Sequence, residues 1–207
     1  MSIQGLTIGK LAEHILATPR SGRRRLVAVA GAPASGKSTL AKELASELCS
    51  MGCSAQVVPL DGFHLHNQIL SDRGLLPIKG APSTFDAQGF AHLVGRLHND
   101  PDIYYPVFDR AQDIAIAGAG YLNELCDTVI VEGNYLLYNV PIWKELYAHW
   151  DLSLRLDVPL ETLRERLVGR WLEHGLSTAQ AQCRAEDNDL ANAALIARAQ
   201  LPADITI

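Results

Sequence analysis

The chain has 207 residues, of which 48% are hydrophobic and 20% charged, and its formal net charge is −5. A chain of this size and composition can bury a full core as one domain, and its acidic balance argues against a nucleic-acid-binding surface as its main purpose. No apolar run reaches the roughly 18 residues of a membrane helix, and no basic and then apolar signal segment is present, so we expect a cytoplasmic protein without a membrane partner.

The first half of the chain alternates between predicted helices and strands. Residues 1–20 contain a helix, because apolar residues recur at helical spacing from Gly5 and Pro19 ends the segment. The run Arg23-Arg24-Arg25 follows and is typical of a solvated basic edge. We then predict a strand at 26–30, a helix at 39–48, a strand at 56–60, a loop-rich segment at 61–85 and a helix from its N-cap Asp86 to residue 98. A loop as long as 61–85 inside a domain usually carries function.

The second half of the chain continues the alternation. We predict extended segments at 104–108, 128–131 and 152–158, helices at 160–174 and 177–198, and an edge strand at 204–207. Strands that alternate with helices predict a three-layer α/β fold, in which helices cover both faces of a central parallel sheet. We expect one such domain over residues 1–207, in which residues 160–198 form the lid and the C-terminal helices.

Residues 31–38 match the pattern G-x-x-x-x-G-K-S between the first predicted strand and the helix that follows it. This is the context of a phosphate-binding P-loop, because the glycines let backbone N–H groups point at an anion and the helix N-terminus adds its positive end. Lys37 would reach the outer phosphates, and the Ser38 hydroxyl would ligate Mg²⁺. The predicted nucleotide contacts are Gly31, Ala32, Ala34, Ser35, Gly36, Lys37, Ser38 and Thr39.

Three carboxylates follow predicted strands, and the carboxyl ends of parallel strands meet at one rim of the sheet. Glu132 ends an apolar run as a Walker B residue does, which predicts that it holds Mg²⁺; a carboxylate that caps the next segment is the alternative. Asp61 would accept the proton of an attacking hydroxyl; a simple Asp61-Gly62 turn is the alternative. Asp157 ends a further strand at the same rim.

The predicted helix at 160–174 carries three arginines, Arg164, Arg166 and Arg170. Arg166 and Arg170 are four residues apart and therefore share a face. Phosphoryl transfer spreads negative charge over the γ-phosphate oxygens, and arginines that close over these oxygens stabilise it. We predict catalytic roles for Lys37, Arg166 and Arg170 beside Asp61; a solvated basic face paired with glutamates is the alternative.

Several stretches carry a family resemblance. Residues 61–68 (DGFHLHNQ), followed by Arg73-Gly-Leu75, Lys79-Gly80 and Phe85-Asp86, resemble type I pantothenate kinases. Residues 25–204 as a whole resemble the group of uridine kinases, phosphoribulokinases and pantothenate kinases. Residues 129–137 and 166–175 are most similar to short bacterial proteins described as fructose-transport-system kinases.

The resemblance implies a P-loop kinase that uses ATP and Mg²⁺ and phosphorylates a small-molecule alcohol, with Asp61 as general base. It also implies that the segment ending in Asp109 and Arg110 borders the acceptor pocket. We expect His64 and Asn67, in the same 61–85 loop, to contact the acceptor as well. A solvated strand end and plain loop histidines remain the alternatives.

The acceptor, the oligomeric state and the role of one further motif stay open. A sugar, a nucleoside and a pantothenate-like compound all fit, although Ala199 replaces an Asn that pantothenate kinases carry before their Leu-Pro. Dimers are common in the resembled group, so a homodimer is one expectation. Residues 188–192 (NDLAN) either link or cap the last helix or lie on its surface. A nucleotide-binding regulator or switch is the alternative function, but the chain has no guanine-reading N-K-x-D.

Overall fold

The structure, a computed structural model, describes residues 7–207. Five parallel strands form a central sheet in the order β2-β5-β1-β6-β7, and β3 and β4 form a separate antiparallel hairpin. The strands are β1 (Arg25–Gly31), β2 (Ala55–Pro59), β3 (Ile103–Asp109), β4 (Ile114–Leu122), β5 (Thr128–Gly133), β6 (Leu152–Leu156) and β7 (Ile205–Thr206). The helices are α1 (Ile8–Ala17), α2 (Lys37–Ser50), α3 (Asn67–Asp72), α4 (Ala87–Asn99), α5 (Leu160–Glu173), α6 (Thr178–Arg184) and α7 (Ala191–Arg198).

Helices cover both faces of the sheet, which confirms the predicted three-layer α/β fold. On one face, α1 and α2 pack through residues such as Leu11 and Leu44 against β1 and β6. On the other face, α4 packs through Phe90 with Tyr135 and Trp143. Strand β1 lies in the centre of the sheet and is buried along its whole length, as its unbroken apolar run requires. Within residues 7–207, no helix is long and apolar enough to cross a membrane.

The register of the sheet brings the functional motifs to one rim. Ala30, just before the P-loop, is paired with Gly133, and Pro59, just before Asp61, is paired with Glu132. The carboxyl ends of β1, β2 and β5 therefore stop at the same level. This register is the reason that side chains a hundred residues apart in the chain share one cleft.

The hairpin and the C-terminal helices differ most from the prediction. The extended segment at 104–108 is β3, but its partner β4 was not predicted, because most of its residues are small or exposed and show no clear alternation. The predicted helix at 177–198 is divided by a π-helical segment, Ala185–Leu190, into α6 and α7. The loop-rich segment at 61–85 contains the short helix α3.

The predictions for the two ends of the chain and for the basic run at 23–25 have different outcomes. Helix α1 occupies 8–17 of the predicted 1–20, and residues 1–6 lie outside the described residues. The edge strand predicted at 204–207 is β7. The expectation of a solvated basic edge is wrong for Arg24, which is fully buried. Its guanidinium donates hydrogen bonds to backbone carbonyls, among them those of Asp100 and Asn123, and so holds the connections that flank the hairpin.

Candidate active site

A cleft of about 350 Å³ opens at the carboxyl ends of β1, β2 and β5. Its floor is the P-loop and the first turn of α2. One wall is the 61–85 segment with the β3–β4 hairpin, and the other wall is formed by α5, α6 and the π-helical segment. The cleft therefore brings together most of the residues that the sequence analysis selected.

The P-loop has the backbone shape of a phosphate cradle. Ala34 and Gly36 adopt left-handed conformations with φ of 60° and 96°, and α2 begins at the next residue, Lys37. A Cβ at Gly31 would come within 2.5 Å of Ser35 Oγ, so a larger residue there would have to displace the Ser35 hydroxyl. Ser35 Oγ itself is buried and has no hydrogen-bond partner among residues 7–207. Free backbone N–H groups at a helix N-terminus fit a triphosphate in this loop.

Lys37 projects from the start of α2 into the cleft. Its Nζ lies 3.5 Å from the Ala32 carbonyl oxygen. Burial lowers the pKa of Lys37, and the charges of Glu132 and Asp61 oppose this shift. The ammonium group therefore lies within electrostatic reach of both carboxylates, at the point where outer phosphates would bind.

Glu132 and Ser38 form a donor set that suits Mg²⁺. Glu132 is only 5% exposed. Burial raises the pKa of Glu132, while Lys37 and the Ser38 hydroxyl favour its charged form. In residues 7–207 no three His, Cys, Asp or Glu side chains cluster as metal ligands. One carboxylate and one hydroxyl fit Mg²⁺, which takes its other ligands from phosphate oxygens and water.

Asp61 follows β2 in a tight turn and faces the cleft. Arg110, at the end of the β3–β4 hairpin, donates a hydrogen bond of 2.5 Å to Asp61 Oδ2. Burial alone would raise the pKa of Asp61, but the charges of Arg110 and Lys37 outweigh it and hold the pKa below its usual value. Asp61 is therefore ionised at neutral pH. No donor among residues 7–207 is bonded to its second oxygen, Oδ1.

The next residue, Gly62, fixes the hairpin against this turn. A Cβ at Gly62 would come within 2.1 Å of the Pro106 carbonyl oxygen of β3, so only glycine lets the two backbones approach this closely. The contact explains why Arg110, which lies far from Asp61 in the chain, reaches its carboxylate.

The four residues predicted to contact the acceptor differ in position. His64 and Arg110 line the cleft. Asn67 does not line the cleft but contacts two residues that do. Its amide oxygen accepts from Lys79 Nζ at 2.6 Å, and its amide nitrogen donates to Asp113 Oδ2 at 2.9 Å. Asp109 lies outside the cleft lining, and its carboxylate accepts from Ala111 and Gln112 in the hairpin turn.

The three arginines of α5 also separate. Arg170 lines the cleft. Arg166 Nη1 donates to the carbonyl oxygens of Ala34 and Ser35, at 3.3 Å and 3.4 Å, so it contacts the P-loop from outside. Arg164 pairs with Glu161 and Glu186 on the surface, as the alternative of a solvated face expected.

Several residues that line the cleft are not among the predicted site residues. They are Lys79, Phe108, Asp113, Asn134, Trp171, Arg184, Asp189 and Asn192. Lys79 and Asp113 form an ion pair at 2.8 Å that joins the loop to the hairpin. Two signals for them are present in the sequence: Lys79-Gly80, within the stretch that resembles pantothenate kinases, and the N-D-L-x-N run at 188–192.

A second cavity of about 400 Å³ lies behind the P-loop, between β6, α5 and α7. Its lining is mainly apolar, with Leu137, Leu156 and Leu163 among its residues. Asp157 lies at the predicted rim, because Gly31 is paired with Leu156, but it lines this cavity and not the cleft. Asn134 lines both.

Three of the known proteins that are similar to most of the chain show its family. A candidate fructose transport system kinase from a Silicibacter species is 53% identical, covers 98% of this chain and 100% of its own structure, and superposes with a TM-score of 0.95. The uncharacterised protein YggC of Escherichia coli is 36% identical over 176 residues, or 82% of this chain and 72% of its own. A candidate uridine kinase of Schizosaccharomyces pombe is 32% identical over 201 residues, or 89% of this chain and 83% of its own. No family model matches the chain.

Proposed function

Because this chain belongs to the family of P-loop kinases that includes the uridine kinase-like proteins, we propose that it transfers the γ-phosphate of ATP to a hydroxyl group of a small molecule. The observation that carries this proposal is the convergence of three charged side chains at the carboxyl ends of β1, β2 and β5. Lys37 and Asp61 line the cleft, and Glu132 is buried beside them, where each alters the pKa of another. A cation for the phosphates, a carboxylate for a metal ion and a carboxylate for the hydroxyl are the parts that phosphoryl transfer to an alcohol needs.

In this proposal the triphosphate lies in the P-loop. Its outer phosphates contact Lys37 at the start of α2 and Arg170 on α5. Arg166 supports the loop through its carbonyl contacts. Mg²⁺, when bound by Ser38 and Glu132, neutralises charge on the phosphate oxygens. These groups lower the barrier by positioning and by charge stabilisation, since the transition state of phosphoryl transfer demands little covalent chemistry from the protein.

Asp61 acts on the acceptor. Its Oδ2 is held by Arg110, so Oδ1 remains to accept a hydrogen bond from the acceptor hydroxyl. As the new O–P bond forms and the bond to ADP breaks, the hydroxyl proton passes to Oδ1. The low pKa of Asp61 makes it a weak base, which suits a loose transition state in which the proton leaves late. The carboxylate therefore both orients the hydroxyl and takes up its proton.

The proposal is tested by ADP release from ATP and Mg²⁺ with a panel of alcohols: aldoses, ketoses, nucleosides, pantothenate and glycerate. We expect at least one of them to raise ADP release well above the basal rate. Lys37→Ala should lose nucleotide affinity and turnover together, whereas Lys144→Ala, which changes an exposed lysine outside the lining of the cleft, should not. Tight nucleotide binding without any acceptor-stimulated ADP release would contradict the proposal and favour a nucleotide-dependent regulator.

A further inference from the structure

The N-D-L-x-N run forms an unusually polar part of the protein interior. Asn188, Asp189 and Asn192 are each 9% exposed or less, and they are three of the ten buried polar residues within residues 7–207. Asn188 and Asp189 belong to the π-helical segment, and Asn192 lies in the first turn of α7. π-helical segments occur mostly as local bulges and are frequent at functional sites, because they turn side chains that a regular helix would direct elsewhere.

Both polar atoms of the Asn188 side chain are bonded to other residues of the protein. Asn188 Nδ2 donates to the Lys79 carbonyl oxygen at 2.9 Å, and its Oδ1 accepts from Asn192 Nδ2 at 3.4 Å. Asn188 therefore attaches the 61–85 segment to the π-helical segment, and Tyr135, which follows β5, attaches it to the sheet by donating from its hydroxyl to the Gly80 carbonyl oxygen at 2.6 Å.

The other two residues keep an oxygen free for the cleft. Asp189 Oδ2 accepts from Trp171 Nε1 at 2.7 Å, but its Oδ1 has no donor among residues 7–207. Asn192 uses its Nδ2 on Asn188 and likewise leaves Oδ1 without a donor in the described chain. Both residues line the cleft.

Asn134, directly after β5, adds a third oxygen. Its Oδ1 is fully buried and has no hydrogen-bond partner in residues 7–207. It lines the same cleft. A buried acceptor without a donor is costly, so a native structure normally supplies one from a ligand or from water.

The charges of the side chains that line the cleft indicate what kind of ligand would donate hydrogen bonds to these oxygens. Five cationic and three anionic side chains line it, and the Mg²⁺ complex of ATP is a dianion that offsets this excess. Lys79 is paired with Asp113, and Arg110 with Asp61. Arg184 Nη1 donates to the Pro77 carbonyl oxygen. With nucleotide bound, the side chains that line the cleft and the nucleotide together carry no net positive charge that would attract an anionic acceptor.

We infer that Asn134, Asp189 and Asn192 form a set of hydrogen-bond acceptors, the oxygen wall, that binds hydroxyl groups of a neutral, polyhydroxylated phosphoryl acceptor of sugar type. This inference rests on the proposed kinase function and specifies its substrate class. The oxygen wall orients the acceptor opposite Asp61, so that one hydroxyl is left for the transfer.

Binding is tested first, by calorimetry with Mg²⁺ and a non-hydrolysable ATP analogue. The neutral probes are ribose, fructose, glucose, mannitol and inositol, and the anionic probes are gluconate, glycerate and ribose phosphate. We expect at least one neutral probe to bind at least about tenfold more tightly than every anionic one. Binding of anionic probes only, or of none of the neutral ones, would overturn the inference.

Variants then test the oxygen wall itself. Asn134→Ala and Asn192→Ala should each weaken binding of the neutral probe by about 5- to 150-fold, the effect of one lost buried hydrogen-bond partner. Asp189→Asn serves as the test if an alanine variant fails to fold. Its amide oxygen still accepts from Trp171, and an NH₂ group replaces the oxygen that has no donor. It should weaken the neutral probe by a similar factor and leave nucleotide affinity within about twofold. Asn99→Ala, an exposed residue on α4, is the matched control. Unchanged binding in all three variants would mean that only water occupies the wall.

The two proposals fail in different ways. A neutral probe that binds through the oxygen wall but is never phosphorylated supports the wall and contradicts the kinase function. Phosphorylation of an anionic alcohol alone supports the kinase function and contradicts the wall.

Discussion

The exchange Asp61→Asn separates the chemistry of the acceptor from the binding of the nucleotide. Asn keeps the shape of the side chain, but its amide cannot take up the hydroxyl proton. Loss of a general base lowers the rate by about 10²–10⁴-fold, which corresponds to about 3–5 kcal/mol of transition-state stabilisation. We therefore expect transfer to the acceptor to fall by this factor.

The effect of this exchange on the fold should be much smaller. The side chains of Arg110 and Asp61 are 55% and 21% exposed, so solvent screens their ion pair. Pairs of this kind contribute roughly 0.2–1 kcal/mol to stability. Nucleotide affinity should stay within a few-fold, because the P-loop backbone and Lys37 are unchanged. A loss of rate above about a hundredfold therefore cannot come from unfolding.

The assay compares wild type, Asp61→Asn and Asp86→Asn for ADP release, nucleotide affinity and thermal unfolding. Asp86 caps α4 by accepting from the Gly89 N–H at 2.9 Å, and Asn caps a helix equally well. The control therefore makes the same chemical change outside the cleft and should keep full activity. If Asp61→Asn retained transfer within a few-fold of wild type, Asp61 would have no role as the base.

Three more outcomes follow from the cleft. Arg110 holds the pKa of Asp61 down, so Arg110→Ala should raise that pKa and shift the acidic limb of the kcat/KM profile to higher pH; an unmoved limb would show that another group titrates. Glu132→Gln should raise the Mg²⁺ concentration for half-maximal activity by roughly 10–100-fold, and an unchanged Mg²⁺ titration would remove Glu132 from the metal site. Gly62→Ala should cost about 1–3 kcal/mol in chemical unfolding, because its Cβ meets the β3 backbone. Gly95→Ala, with open space around its Cβ, should stabilise by roughly 0.5–1 kcal/mol; equal effects of the two changes would contradict the packing argument.

The elements that the sequence predicted well are those whose signal is local. The P-loop is a contiguous motif between a strand and a helix, and an apolar strand that ends in Glu132 is recognisable without its neighbours. Parallel packing then places these ends at one rim by a general rule. The fold class and the resemblance to P-loop kinases are confirmed by the structure and by the relatives.

The parts that the sequence did not predict depend on distant contacts. Strand β4 is mostly small and exposed, and only its pairing with β3 makes it a strand. Lys79, Asp113 and Asn134 come from three segments, and no spacing rule relates them. Arg24 is buried because carbonyls of two remote connections surround it. Asp189 and Asn192 face the cleft through a π-helical segment, which helical periodicity does not predict.

The most direct test of phosphoryl transfer is to detect the product itself. Wild-type protein is incubated with ATP, Mg²⁺ and each neutral polyol, and both the ADP and the polyol phosphate are quantified by mass spectrometry. The proposed function and the oxygen wall together predict one phosphorylated polyol for each ADP formed, with Lys37→Ala producing neither. ADP accompanied only by inorganic phosphate would contradict transfer to an alcohol.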